Sequence, residues 1–178
     1  MKATLHTEKI IAVTAVYKVS FTGYRPSKLG FGVDDERCAA LKQKIYDNIE
    51  VLIYSGATDF YSGMALGVDM WCAQAVLELR KLRPEITLTA VIPCPGQDEK
   101  WSAADRALYR DTVAQCNNVI CVSRAYTKDC MFERNRRLVD MCDLLLAVYD
   151  GKSGGTHYTV EYAEKKGRKI IIIDPNSI

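Results

Sequence analysis

Four short stretches hold the residues best suited to chemistry: Thr22-Gly23-Tyr24-Arg25-Pro26, Ser62-Gly63-Met64-Ala65-Leu66-Gly67-Val68-Asp69, Met131-Phe132-Glu133-Arg134-Asn135 and Asp150-Gly151-Lys152-Ser153-Gly154-Gly155-Thr156. The chemistry they share is anion binding. Gly63 and Gly67 flank one helix start, and Gly154, Gly155 and Thr156 open another; glycines let the backbone approach an anion while the helix terminus offers free N–H donors. Arg25 adds charge, and Arg134 can deliver a guanidinium fork to a phosphate or carboxylate. Asn135 lies on an apolar stripe with Met131, Leu138 and Cys142, so its amide needs a backbone or ligand partner. Asp69 is either a partner for the helix dipole or an acceptor for a ribose hydroxyl. Asp150 is a second hydroxyl acceptor, and Trp101 or Tyr24 can face a base.

Covalent catalysis finds less support. Asp69, Glu133, Asp150 and Glu161 are acid–base candidates, but no serine or cysteine occupies a nucleophile elbow, and His157 alone makes no triad. The Gly63–Gly67 spacing is G-x-x-x-G, neither the dinucleotide fingerprint nor a P-loop. No cofactor is called for. With two histidines and no C-x-x-C pair, no metal site is expected.

The elements that must position these residues follow from hydrophobic periodicity. Strands are expected over 18–22, 58–62, 86–92, 119–122, 143–149 and 169–173. Helices are expected over about 35–51, 66–82, 102–116, 130–142 and 156–166, with Asp34 or Asp35 and Ser102 as caps and Pro84 and Gly167 as stops. Leu144 to Val148 is a continuous apolar run, suited to a central strand covered on both faces. Strict alternation predicts an α/β fold: one Rossmann-like three-layer domain over 18–178 with a mostly parallel sheet of about six strands. Residues 1–17 are set apart as an N-terminal extension or extra strand; Ile10 to Tyr17 is short for a signal-peptide core. In such a sheet, ligands bind at the carboxyl ends of the strands, where Thr22–Pro26, Ser62–Asp69, the Pro93–Trp101 segment and Asp150–Thr156 fall.

The chain has 178 residues, 48% hydrophobic and 26% charged, with a net charge of +2. That length forms one domain without staples. The near-balance of charge argues against nucleic acid as a partner, and no stretch reaches the roughly 20 apolar residues a membrane span needs. Seven cysteines, an odd number, read as reduced core residues of a cytoplasmic protein.

Together, Phe21 to Pro26, Gly63 to Asp69, Met131 to Asn135 and Asp150 to Thr156 resemble the YpsA-like family of the SLOG superfamily, over about 18–175. The resemblance implies a Rossmann-like fold that binds nucleotides or nucleotide-derived ligands. Ser62 to Asp69 is similar to the glycine loop of the DNA-processing DprA proteins. Met131 to Asn135 is similar to the helix of the LOG-type nucleoside-monophosphate phosphoribohydrolases, with Arg134 matching their catalytic arginine. Their next loop reads P-G-G-x-G-T-x-E-E. Gly155-Thr156 matches the G-T, but His157, Tyr158 and Thr159 follow, and Glu161 comes half a helical turn or more too late.

The expected function is therefore binding or sensing of a small nucleotide-like anion. The expected ligand-binding set is Gly23, Tyr24, Arg25, Gly63, Met64, Ala65, Gly67, Asp69, Trp101, Arg134, Asn135, Asp150, Gly154, Gly155 and Thr156. Catalysis is left open, with Arg134, Asp69 and Glu161 as candidates for a phosphoribohydrolase-like activity. DprA-like single-strand binding is the third alternative, and a homodimer is implied by the LOG-type likeness.

Overall fold

Leu144 to Val148 can be hidden only by protein on both faces and both edges, and the computed structural model places it so: all five residues of this strand are buried. The structure describes residues 18–178; the expected extension over 1–17 lies outside the described residues. Eleven main elements alternate: β1 (Lys18–Gly23), α1 (Glu36–Tyr54), β2 (Asp59–Ser62), α2 (Val68–Arg80), β3 (Thr87–Ile92), α3 (Ala103–Ala114), β4 (Asn118–Cys121), α4 (Cys130–Met141), β5 (Leu144–Val148), α5 (Gly155–Lys165) and β6 (Lys169–Ile173). Two 3-10 turns, Pro26–Lys28 and Pro175–Ser177, were not anticipated; each begins at a proline whose fixed φ suits a helical first position.

The sheet has the order β4-β3-β2-β1-β5-β6, and every pair is parallel. The fold is a Rossmann-like three-layer α/β sandwich. The chain steps from β1 outward to β4, then returns through α4 to β5 on the far side of β1. Right-handed crossovers in opposite directions put helices on opposite faces. Accordingly α2 packs with α1 and α3, while α4 packs with α5. The register sets Gly23 beside Val148, so the chain leaves β1 and β5 at the same level and in opposite directions. That divergence opens a crevice.

Local choices agree with this plan. Asp35 caps α1 by accepting the Arg37 N–H at 2.9 Å. Ser102 caps α3 through the Asp105 N–H at 3.1 Å. Ser20, buried in β1, donates to the Leu138 carbonyl at 2.7 Å and so latches α4 to the sheet. Five cysteines are buried as expected, but Cys121 is exposed because β4 is an edge strand, and Cys116 is half-buried. No helix among the described residues is long and apolar enough to cross a membrane.

Gly23 is where β1 meets the start of α2. A β-carbon there would lie 2.4 Å from Val68 Cγ1. Val68 is fully buried and stiff at its β-branch, so it has little room to yield. Gly23→Ala should lower stability by about 1–3 kcal/mol, read as a shifted urea midpoint with unchanged slope.

Candidate functional site

The crevice between β1 and β5 holds a cavity of about 180 Å³. The end of β1 contributes Phe21, Thr22, Gly23, Tyr24 and Arg25, and the following turn contributes Lys28. The β2–α2 segment supplies Ala65 and Asp69, α4 supplies Met131, Arg134, Asn135 and Leu138, and α5 opens onto it with Gly155 and Thr156. Of the sequence-predicted set, nine residues thus meet here: Gly23, Tyr24, Arg25, Ala65, Asp69, Arg134, Asn135, Gly155 and Thr156.

The back wall is an ion pair. Arg134 Nη1 lies 3.5 Å from Asp69 Oδ2, with side chains 7% and 9% exposed. Arg134 Nη1 also donates to the Gly63 carbonyl, and its Nε donates to Asn135 Oδ1 at 2.9 Å. Burial pushes the Asp69 carboxyl up, opposed by the Arg134 charge, the Ala65 N–H and Arg25. Burial pushes the Arg134 guanidinium down, opposed chiefly by Asp69. Two buried ions tolerate this only because each compensates the other. Arg134 Nε and Nη1 are thus committed to acceptors of the protein.

This accounts for the first glycine motif. A β-carbon on Gly63 would lie 1.9 Å from Arg134 Nη1, so the residue is glycine to admit the guanidinium. Gly67 has φ +91°, and a β-carbon there would lie 2.6 Å from the Tyr24 carbonyl, which accepts the Val68 N–H at 3.2 Å. Met64 is fully buried. None of the three lines the cavity. Gly63 and Gly67, expected to cradle phosphate, lie at a packing joint where protein atoms fill the space a side chain would take.

The front wall is braced by Tyr24, whose hydroxyl donates to Asp150 Oδ1 at 2.5 Å. Asp150 also binds Lys152 Nζ and Asn176 Nδ2, the latter at 3.1 Å. Lys152, then Tyr24, hold its carboxyl below the usual range, while burial and the Asp150 bond push the Tyr24 phenol up to about 12. Asp150 therefore does not line the cavity: its oxygens are taken up in bracing. Gly154, at φ +143°, is the unadorned start of α5.

Two further expected residues lie away from the cavity. Trp101 packs edge-on against Tyr109, ring centroids 5.3 Å apart, on the β3–α3 side and away from the cavity. Glu161 pairs with His157 Nε2 at 3.4 Å on the outer surface of α5, so it does not reach the cavity. Among the described residues, Asp69 is the one carboxylate lining the cavity, and no group of three His, Cys, Asp or Glu is placed to hold a metal ion.

Lys28 was missed. It lines the cavity, and a β-carbon on Gly154 would lie 2.8 Å from its Nζ. The signal was Pro26, which starts the 3-10 turn that carries Lys28 back over the α5 start. The side chains of Arg25 and Lys28 make no hydrogen bond or ion pair among the described residues.

Comparison with known proteins places this geometry. The YspA SLOG family matches residues 19–177. A UPF0398 protein of Bacillus cereus (strain G9842) is 31% identical over 153 residues, covering 84% of this chain and 83% of its own. A UPF0398 protein of Bacillus thuringiensis (strain Al Hakam) is 33% identical over 161 residues, with the same coverage of 84% and 83%. Among solved structures, DNA processing protein A of Helicobacter pylori, described for its single-stranded DNA binding mode, aligns with a TM-score of 0.62 at 20% identity. The DprA protein of Streptococcus pneumoniae aligns with a TM-score of 0.58 at 19% identity. Both alignments cover 89% of this chain, which spans 65% and 50% of those two proteins. The expectation that net charge argues against nucleic acid is overturned by the Helicobacter protein, in which this fold accompanies single-strand binding. A total of +2 does not report where the cations stand, and strand contact depends on their local placement.

Breaking the Arg134–Asp69 pair from either side should cost about 3–5 kcal/mol in chemical denaturation, and the double variant Asp69→Leu/Arg134→Met should cost less than the two singles together. Asp150 supplies a pH signature. Its depressed carboxyl contributes stability that is present above the ordinary carboxylate range and lost as pH falls through about 4 toward its folded value. Asp150→Asn should therefore flatten the acid limb of the stability profile and leave its neutral limb parallel to that of the wild type.

Proposed function

Because the chain belongs to the YspA SLOG family, we propose that its crevice binds the phosphate-bearing part of a nucleotide, presented free or as a unit of a DNA single strand. The observation that carries this reading is convergence: Arg25, Lys28 and the first residues of α5, Gly155 and Thr156, line one cavity. Phosphate is the biological group that combines negative charge with several acceptor oxygens, and a helix start beside uncommitted cations matches both properties. No side chain caps α5, so its terminal N–H groups are left for an outside acceptor. Ala65, Met131 and Leu138 add apolar wall for a sugar or base edge, and Asn135 adds an amide. The single-strand binding of the Helicobacter pylori neighbour supports the same chemistry, as does the family.

We adopt binding rather than hydrolysis. Cleaving an N-glycosidic bond calls for a carboxylate free to place water or to stabilise an oxocarbenium ion. Asp69 is held by Arg134, and Glu161 lies outside the cavity.

Titration calorimetry with AMP, ADP-ribose, NAD, cyclic nucleotides and a short 5′-phosphorylated single-stranded oligonucleotide tests the reading. Arg25→Ala and Lys28→Ala should each weaken binding about tenfold or more, the value of one charge-assisted hydrogen bond. Gly155→Asp should abolish binding without a change in melting temperature. Gly155 has an ordinary φ, and its nearest neighbour, Asn135 Nδ2, would be 4.0 Å from the new β-carbon. Saturation by a mononucleotide identifies a free ligand, whereas binding of the oligonucleotide alone identifies a strand. If nothing binds, or the aspartate variant binds as the wild type does, the reading is wrong.

A further inference from the structure

The crevice has space for a phosphorylated sugar and little more. Its cavity of about 180 Å³ is smaller than the roughly 300–1,000 Å³ of pockets that enclose a whole drug-sized ligand, so a nucleotide held there by its phosphate lays its base outside. The two aromatic residues expected to face that base are already engaged. Trp101 packs on Tyr109, and Tyr24 is buried with its hydroxyl on Asp150. Of the large apolar side chains exposed among the described residues, Phe132 is the one carried by a helix that lines the cavity.

Phe132 stands at the mouth of the crevice. It follows Met131 and lies three residues before Asn135 on α4, and both of those line the cavity. On α5, Tyr158 lies three residues after Gly155, which also lines it. Residues at that spacing share a side of a helix. The Phe132 and Tyr158 rings meet edge to face, centroids 4.8 Å apart at 74°. Arg136 Nη1 donates to the Tyr158 hydroxyl at 2.8 Å, and the Tyr162 ring lies parallel to that of Tyr158 at 6.4 Å. Tyr158 is thus fixed from two sides and supports Phe132, which is still 40% exposed.

We propose that Phe132, backed by Tyr158, is a base-stacking platform at the rim of the crevice. With a phosphate at Arg25, Lys28 and the α5 start, the sugar lies along the apolar wall and the attached base lies on the Phe132 ring. The platform rests on the nucleotide reading and adds the part of the ligand held outside the cavity. Every nucleobase has a π-face, so stacking selects for the presence of a base and tolerates its identity. A ring already fixed by its neighbours loses little side-chain freedom when a base settles on it. A free nucleotide and a unit of a single strand offer the same series of phosphate, sugar and base.

The test is calorimetry on the full chain with AMP and a short 5′-phosphorylated single-stranded oligonucleotide. Each is compared with a baseless counterpart: ribose 5-phosphate for AMP, and an oligonucleotide with an abasic 5′ unit for the strand. Phe132→Ala should weaken the base-bearing ligand about tenfold, the effect of losing one stacked base, and leave the baseless one unchanged. Phe132→Trp should restore the affinity, and its added emission should be quenched as the base stacks. A response to AMP assigns the base to a free nucleotide, and a response to the oligonucleotide alone assigns it to a strand. If Phe132→Ala binds the base-bearing ligand as the wild type does, the platform is overturned while the crevice reading stands. Equal weakening of the baseless ligand also overturns it, because the ring then shapes the cavity itself. So does a wild type that binds the two members of a pair equally. If none of these ligands binds the wild type, the nucleotide reading fails and the platform falls with it.

Discussion

A buried guanidinium has to be satisfied, and this fold is arranged around satisfying one. Arg134 projects from α4 on one face of the sheet and finds Asp69 on α2 on the other, reaching over the ends of the central strands. The Gly63 carbonyl accepts from its Nη1 and the Asn135 amide oxygen from its Nε. Desolvating either ion alone would be ruinous, so the pair ties the two helical layers in one relative position. Gly63 has to be glycine, because any β-carbon would occupy the place of the guanidinium. The Ser20 bond to Leu138 holds the same helix from below. With the back wall of the crevice internally neutral, the uncommitted charge is left at the front, on Arg25 and Lys28.

Helix starts divide along the same line. α1 and α3 are capped by Asp35 and Ser102. α2, α4 and α5 begin without a side-chain cap, and these are the three helices that border the cavity. A cap contributes about 1 kcal/mol, so these three helix starts go without a stabilisation that α1 and α3 have. The Tyr24–Asp150–Lys152 bonds hold the β1 and β5 loops together beside them. The left-handed turn at Gly154 then presents the α5 start bare.

The fold was readable because its signals are local. Periodicity placed all six strands and five helices within a few residues, and the Leu144–Val148 run marked the centre of the sheet. The discrepancies are at ends: α1 runs on to Tyr54, and two proline-started 3-10 turns went unrecognised. The site was readable only in part. The glycine loops pointed to the edge of the sheet where the cavity lies, but Gly63 and Gly67 pack against protein atoms, Trp101 faces Tyr109, and Glu161 faces His157. Lys28 escaped notice because Pro26 signals a turn without showing that the turn folds the lysine back over another loop.

Residue order by itself determined the class of fold, the all-helix crossovers and the side of the sheet where chemistry could gather. Those properties depend on hydrophobic period and turn chemistry over a few neighbouring residues. Tertiary structure decided which polar groups are spent and which are free. Asp69 meets Arg134 across 65 positions of chain, and Tyr24 meets Asp150 across 126. Arg134 and Arg25 look alike in sequence, yet burial commits one to the protein and leaves the other to solvent. That difference comes from desolvation and long-range pairing, which no local pattern encodes.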